Sequence, residues 1–335
     1  MRTSGRPRLR IAIFLAGVAA LIAITVHAGA DAVVHILGTL GLFSLAAITL
    51  LHLPVIILMG LAWWCVGRDT GRPILFIGAR LVRDSVAEVL PFSQIGGFVS
   101  GLRLLALAGS NVLKGAFAML ADLILEFSAK LFYTLLGIVV LVWLIPGADL
   151  IRPFSIALIC LFATAAAFLF FRDRFKAMAS HLLLWVIRQW APLRQDDHVE
   201  LNIWRVFDRE RALPNFAIHL GCWLFGAFEA WITLRLMGIG VTGSQALVID
   251  SLATAFRSLG FLVPAALGIQ EAGYVLVCAL FGITPAAAIA FSLARRARDL
   301  LLGLVGLSIW QILEIQAYRL TCYAKGEPVN KSPVH

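Results

Sequence analysis

The stretch Pro264-Ala-Ala-Leu-Gly-Ile-Gln-Glu271 places helix-breaking residues beside a carboxylate inside an otherwise apolar segment. Residues 252–268 and 272–283 are largely apolar, so the sequence predicts that Glu271 lies at bilayer depth. An ionisable group is costly at that depth, and broken backbone is tolerated there only against protein or a water-filled cavity. The stretch is therefore a candidate site for a polar substrate in an apolar chain.

The composition indicates an all-α polytopic membrane protein. Hydrophobic residues make up 61% of the chain and charged residues 14%, with a mean hydropathy of +0.91. A soluble domain would have about 45–50% apolar and about 25% charged residues. No stretch is long enough and polar enough for a separate soluble catalytic domain, so we expect residues 1–335 to form a single integral membrane domain.

The net charge of +9 is explained by orientation in a membrane. Basic residues precede the first apolar segment and cluster again around residues 172–211. Basic flanks of this kind face the cytoplasm under the positive-inside rule. We therefore expect no nucleic-acid partner.

The sequence contains no motif for a cofactor or a metal. Its five cysteines are scattered without a Cys-x-x-Cys pair, and its seven histidines lack metal-ligand spacing. Gly96-Gly97 lacks the strand and the following Lys-Ser/Thr of a phosphate-binding loop. We expect neither a cofactor nor a metal.

Six apolar segments are long enough to predict full membrane spans. They cover residues 11–28, 36–64, 112–144, 154–171, 215–237 and 286–312. The first resembles a signal peptide, because Ala28-Gly29-Ala30 mimics a cleavage site, but its apolar run is long for one. We expect it to be an uncleaved span.

Two further segments, residues 74–110 and 245–283, are apolar but interrupted. The interrupting residues are the candidate hinges Pro91, Gly96, Gly97, Pro264 and Gly268. Each segment is predicted to enter the membrane and return as a broken re-entrant hairpin.

The distribution of basic residues predicts the topology. The N-terminus, the Arg68–Arg72 turn, a loop over residues 172–213 and the C-terminal tail are rich in Lys and Arg and are expected in the cytoplasm. With six spans, the two hairpins then enter from opposite sides. This arrangement suggests an inverted repeat, with halves at residues 36–145 and 215–312, in which opposed broken helices build a substrate site.

Charged residues recur at helical spacing in two predicted spans. The first stripe is Asp122, Glu126 and Lys130, and the second is Arg295, Arg298 and Asp299. Buried charges need partners, so two interpretations remain open: ion pairs between the two spans, or a polar lining for a headgroup or a proton path. Under the first interpretation, we expect the acidic residues of the first stripe to pair with the arginines of the second, including Arg296.

Other candidate substrate-binding residues lie in or beside the interrupted segments. They are Glu271, Arg103, Gln94, Gln270 and Arg257. Structural alternatives remain open for three of them. Arg103 would extend to the membrane interface, Glu271 would form a salt bridge, and Arg257 would pair with Asp250, seven residues earlier on the same helix face.

Three stretches resemble a known group. The first is Arg80-Leu-Val-Arg-Asp-Ser-Val-Ala-Glu-Val-Leu-Pro-Phe-Ser-Gln-Ile-Gly-Gly-Phe98, and the others are Phe261–Glu271 and Leu293–Leu300. They resemble the hopanoid-biosynthesis-associated HpnL membrane proteins, which belong to the broader family of the lysylphosphatidylglycerol synthase transmembrane region. The similarity covers roughly residues 10–315. That family usually has glycines where this chain has Ala265 and Ala266. Because alanine permits less backbone distortion than glycine, we expect either that the second turn is less sharply broken or that a headgroup approaches it less closely.

The resemblance implies a lipid translocase of the bacterial inner membrane, with a hopanoid or a phospholipid as its partner. Proteins of hopanoid biosynthesis are further possible partners. An alternative is a membrane-embedded enzyme or assembly subunit that attaches hopanoid to another lipid, with Glu271 as a general base. A scaffold for hopanoid-synthesis enzymes is a third alternative.

Overall fold

The computed structural model describes residues 21–89, 94–146, 208–259 and 266–325, with a few residues before 21. Within these ranges the chain forms helices and turns and contains no β-strand. The eight longest helices there are α1 (Ala30–Gly67), α2 (Pro73–Val89), α3 (Gln94–Leu107), α4 (Val112–Leu144), α5 (Arg209–Leu236), α6 (Gly243–Leu259), α7 (Ile269–Ala279) and α8 (Pro285–Lys325).

Four of these helices, α1, α4, α5 and α8, are long and apolar enough to cross a membrane. They coincide with the spans predicted at 36–64, 112–144, 215–237 and 286–312. The predicted spans at 154–171 and, for the most part, 11–28 lie outside the described residues. The chain is therefore a multi-pass membrane protein, and the total of six spans stays a prediction.

The two interrupted segments fold as antiparallel helix pairs. In the α2–α3 pair, a Cβ at Gly97 would lie 2.5 Å from the carbonyl oxygen of Arg83. In the α6–α7 pair, a Cβ at Gly273 would lie 2.6 Å from the Cβ of Phe256. Glycine at these points lets two helix backbones approach closely.

Two of the predicted hinge residues, Gly96 and Gly97, are not in a turn. Both lie inside α3, and Gly97 serves helix packing. Pro91 and Pro264 lie outside the described residues. Gly268 is at a turn as predicted, with φ of 79° as the residue before α7. The expectation of a less sharply broken second turn was wrong for Ala266. Its φ of 49° lies in the left-handed region that favours glycine.

Helices α1 and α5, called the central helices below, pack antiparallel against each other. The side-chain amide of Asn215, early in α5, donates to the carbonyl of Ala62, late in α1. Toward the other end, Glu229 of α5 contacts His52 of α1. The α2–α3 pair packs against α1 and α8, and α6 packs against α4 and α5.

Apolar side chains form two separate cores. One surrounds Trp63, Phe76 and Leu105 on α1 to α4. The other surrounds Leu234, Ile249 and Phe291 and includes residues of α1 and α4 to α8.

Candidate functional site

A cavity of about 350 Å³ is lined by residues of α1, α2 and α4 to α8. This volume is in the range of small-molecule sites in proteins. Acidic and basic side chains line it in equal numbers. The basic residues are Arg80, Arg83, Lys130, Arg257, Arg295 and Arg298, and the acidic residues are Asp84, Glu88, Glu126, Glu229, Asp250 and Asp299.

Two arginines of α2 and one carboxylate of α4 form the first ion-pair cluster. Arg80 Nη2 lies 3.0 Å from Glu126 Oε1, and Arg83 Nη2 lies 3.2 Å from Glu126 Oε2. Both guanidinium groups also lie 3.5 Å from Asp122 Oδ2. The cluster connects the first hairpin to α4.

The carboxylate of Asp122 is fully buried and binds α5 as well. Its Oδ1 accepts from Asn215 Nδ2 at 2.8 Å and lies 2.9 Å from His219 Nε2. The ligand atoms of Asp122, Glu126 and His219 lie within 4.8 Å of one another, close enough to hold a metal ion. Two buried arginines already occupy the same carboxylates and would repel a cation, so ion pairing accounts for this cluster.

A second cluster joins α4, α6 and α8 at Asp250. Its Oδ2 accepts from the hydroxyl of Tyr133 at 2.8 Å, and its Oδ1 forms an ion pair with Arg295. Asp250 is 1% exposed, so both of its oxygens are bound inside the protein. The mutual pair of Asp250 and Arg257, which the sequence left open as one alternative, therefore does not form.

A third cluster surrounds Glu229 in the middle of α5. His52 Nδ1 lies 2.9 Å from Glu229 Oε2, and Arg298 Nη1 donates to the same oxygen at 2.8 Å. Arg298 also pairs with Asp299 at 2.7 Å. Glu229 of α5 is thus bound by His52 of α1 and by Arg298 of α8.

The two hairpins are connected directly by one ion pair. Arg257 Nη2 of α6 lies 2.6 Å from Glu88 Oε2 of α2. The same guanidinium lies 3.9 Å from Asp299 on α8. Both residues line the cavity, and separation of the hairpins would have to break their ion pair.

The expectation that the acidic residues of α4 pair with the arginines of α8 was wrong. Asp122 and Glu126 pair with Arg80 and Arg83 of α2, whereas Arg295 and Arg298 pair with Asp250 and Glu229. The acidic residues of α4 are thus neutralised by α2, and the arginines of α8 by α6 and α5. Helices α4 and α8 do not neutralise each other.

Glu271 does not line the cavity. Its Oε1 accepts from Arg296 Nε at 2.6 Å and from Ser292 Oγ at 3.1 Å. Its Oε2 accepts from the backbone N–H of Gly268 at 2.8 Å, which caps the start of α7. The structural salt bridge left open by the sequence is the arrangement that forms.

Arg103 also lies away from the cavity. Its side chain is 51% exposed and pairs with Glu314 at 3.0 Å. Of the two glutamines, Gln270 lines the cavity, and its Oε1 has no partner among the described residues. Gln94 begins α3.

Several cavity residues were not predicted as site residues. Arg80, Arg83 and Glu88 are visible in the sequence only as the polar side of an amphipathic helix. Glu229 gives a stronger signal, since it is a carboxylate inside a predicted span. His52 and Tyr133 give no such signal, and only the fold places them beside Glu229 and Asp250.

The relationship of the chain to known proteins rests on one comparison. No curated protein and no solved structure matches it. The model of the family described as the lysylphosphatidylglycerol synthase TM region matches residues 9–306, and the chain therefore belongs to this family.

Proposed function

We propose that the chain is a lipid translocase that holds a polar headgroup in its cavity while the apolar tail remains in the bilayer. The observation that carries this proposal is the charged cavity itself. Twelve charged side chains line it in a protein that spans a membrane. Charges at that depth are costly and mark substrate or ion pathways.

A contribution to stability alone does not explain why this network of ion pairs lines the cavity. Replacing a buried ion pair by well-packed apolar residues of similar volume is often neutral or stabilising. A cavity of about 350 Å³ inside the network supports a role in binding. Family membership supports a lipid as the substrate, and the resemblance of residues 80–98 to hopanoid-associated proteins makes a hopanoid or a hopanoid-linked lipid one substrate to test.

The geometry disfavours the enzymatic alternative, because its candidate base is already engaged. Glu271 binds Arg296, Ser292 and a backbone N–H, and it does not face the cavity. The sequence also lacks an ATPase motif. Transport would then depend on a gradient or on consumption of the lipid on the far side.

Reconstitution in vesicles tests the proposal. Vesicles containing tail-labelled fluorescent lipid are treated with a membrane-impermeant reductant, which destroys label in the outer leaflet. Wild-type protein should expose the inner-leaflet label as well, and Arg295→Gln should lose most of this activity. Arg103→Gln, which lies outside the cavity, is the matched control and should retain it. Wild-type protein that leaves the inner-leaflet label intact for phospholipid and hopanoid-linked probes would reject the proposal.

A further inference from the structure

His52 of α1 is the one histidine among the described residues that lines the cavity. Its Nδ1 lies 3.0 Å and 2.9 Å from the two carboxylate oxygens of Glu229. Arg298 also donates to Glu229 at 2.8 Å, so this side chain is a charged group that only accepts hydrogen bonds. Nδ1 of His52 therefore carries the hydrogen of the contact, and Nε2 is the acceptor of the neutral ring.

The second ring nitrogen of His52 is free to take up a proton. Nε2 is not buried and forms no hydrogen bond with any described residue, and the side chain is 21% exposed. Histidine is the only side chain that ordinarily changes its charge between pH 5 and 8. Protonation at Nε2 would add one positive charge to the cavity and leave the contact of Nδ1 with Glu229 in place.

The acidic residues that line the cavity are already balanced. Each of the six forms an ion pair with an arginine. Because arginine stays charged in proteins, these carboxylates keep their partners over the whole pH range in which histidine titrates. Among the described residues of the cavity wall, His52 is therefore the side chain best suited to exchange a proton near neutral pH.

Helix α1 contributes no other charge near His52, since it has no Asp, Glu, Lys or Arg between Asp31 and Arg68. It packs against α2, α4, α5 and α8, and each of these helices lines the cavity with charged or titratable groups. These groups are Glu229 and Cys222 of α5, Arg295, Arg298 and Asp299 of α8, Glu126 and Lys130 of α4, and the α2 residues of the ion pairs described above. Of these, Glu229 contacts the imidazole ring directly.

A series of ion pairs leads from His52 to the contact between the two hairpins. Glu229 Oε2 is shared by His52 and Arg298, and Arg298 also pairs with Asp299. Asp299 lies 3.9 Å from the guanidinium group that joins the hairpins. A positive charge on His52 would compete with Arg298 for the same oxygen, so protonation would act on the ion pairs that hold the hairpins together.

We infer that His52 carries a proton through the cavity and thereby couples lipid translocation to a proton gradient. Nε2 takes a proton from water on one side of the membrane and returns it to water on the other side, while Nδ1–H stays donated to Glu229. Ionisable groups inside membrane proteins commonly serve as proton relays. The inference rests on the proposed function and supplies the energy source that a chain without an ATPase motif needs.

The distribution of lipid between leaflets under an imposed pH gradient tests this inference. Vesicles contain the full-length protein and one of two tail-labelled probes, a phospholipid or a hopanoid-linked lipid, and the membrane potential is clamped at zero. One pH unit is about a tenfold difference in proton activity, so coupling of one proton per lipid should shift the leaflet ratio by up to about tenfold. A gradient of opposite sign should reverse the shift. Vesicles without protein give the background.

Two variants test whether His52 is the carrier. His52→Gln keeps an N–H donor for Glu229 but cannot take up a proton, and its leaflet ratio should stay within about twofold of the background. His35→Gln removes an exposed histidine from the same helix and should reach the wild-type ratio. A His52→Gln variant that also reaches the wild-type ratio would overturn the inference.

A second measurement needs no variant and therefore does not depend on the folding of His52→Gln. A pH-sensitive dye enclosed in wild-type vesicles should report proton movement that begins with lipid movement. Lipid movement without any change in the dye signal would overturn the coupling.

The coupling and the proposed function fail in different ways. Wild-type protein that moves label to the same leaflet ratio with and without a gradient would overturn the coupling and leave the translocase intact. Wild-type protein that moves no label would reject translocation, and the coupling with it.

Discussion

At the scale of single residues, Glu271 shows how a buried charge can be structural. Its carboxylate binds Arg296 and Ser292 of α8 and caps α7 through Gly268. It is fully buried. The group therefore attaches the second hairpin to α8 and fixes the point at which α7 begins.

Glu271→Gln should lower the melting temperature of the purified protein. The change keeps the volume and a hydrogen-bonding oxygen but removes the charge opposite a buried guanidinium, for an expected cost of about 3 kcal/mol. Glu314→Gln breaks an exposed pair with Arg103 and should cost about 1 kcal/mol or less. Equal melting temperatures for the two variants would contradict the structural role of Glu271.

At the scale of helices, two close contacts hold the hairpins against long helices. A Cβ at Gly137 of α4 would lie 2.8 Å from the Cβ of Ser251 in α6. A Cβ at Gly306 of α8 would lie 2.9 Å from the Cβ of Ser85 in α2. Each contact therefore requires a glycine, because a Cβ would clash with the serine opposite.

Gly137→Ala should destabilise the protein by about 1–3 kcal/mol, because the added methyl forces the two helices apart. Adding Ser251→Gly should recover much of the loss, since it removes the opposing side chain. Gly221→Ala is the matched control, because a Cβ there meets no atom within 4 Å. The test is thermal melting of the four purified proteins, and a Gly137→Ala variant as stable as the wild type would refute the contact.

Hydropathy was sufficient to predict the elements, and it was insufficient to predict their contacts. Four spans and two helix pairs follow from apolar runs and from interruptions by proline, glycine and charge. The sequence could not distinguish a glycine that turns the chain from one that packs helices, so Gly97 was misassigned as a hinge. It also could not show which of the arginines bind Asp122, because that choice depends on tertiary packing.

At the scale of the whole molecule, corresponding contacts recur in the two predicted halves. The indole of Trp64 donates to the carbonyl of Gly71 beyond the end of α1, and Trp231 donates to that of Val241 beyond the end of α5. The two contacts of glycine with serine form another such pair.

Because α1 and α5 are antiparallel, we propose that residues 36–145 and 215–312 are related by inversion. Such repeats place their substrate site where the halves meet. The proposed headgroup cavity is lined by residues of both halves.

The antiparallel packing of α1 and α5 also predicts on which side of the membrane their ends lie. The end of the molecule near residues 68–72 carries Arg68, Arg72 and Arg211, whereas the connection after α5 carries no basic residue between 236 and 242. From the positive-inside rule we expect residue 69 in the cytoplasm and residue 240 outside. In a cysteine-free background, Gly240→Cys should react with an impermeant thiol reagent in intact cells, and Asp69→Cys only after permeabilisation. Labelling of both from the same side would contradict the antiparallel central helices.

Headgroup photo-crosslinking tests the central claim, entry of a lipid headgroup into the cavity, most directly. Purified protein in a bilayer is exposed to a phospholipid with a photoreactive headgroup, and the adducts are located by mass spectrometry. The account predicts adducts on cavity-lining residues such as Ile56 and Leu302, which excess unlabelled phosphatidylglycerol should suppress. A tail-labelled lipid should instead mark exposed apolar residues such as Leu42 and Phe43. Headgroup adducts confined to the outer surface, with none on the cavity wall, would contradict the account.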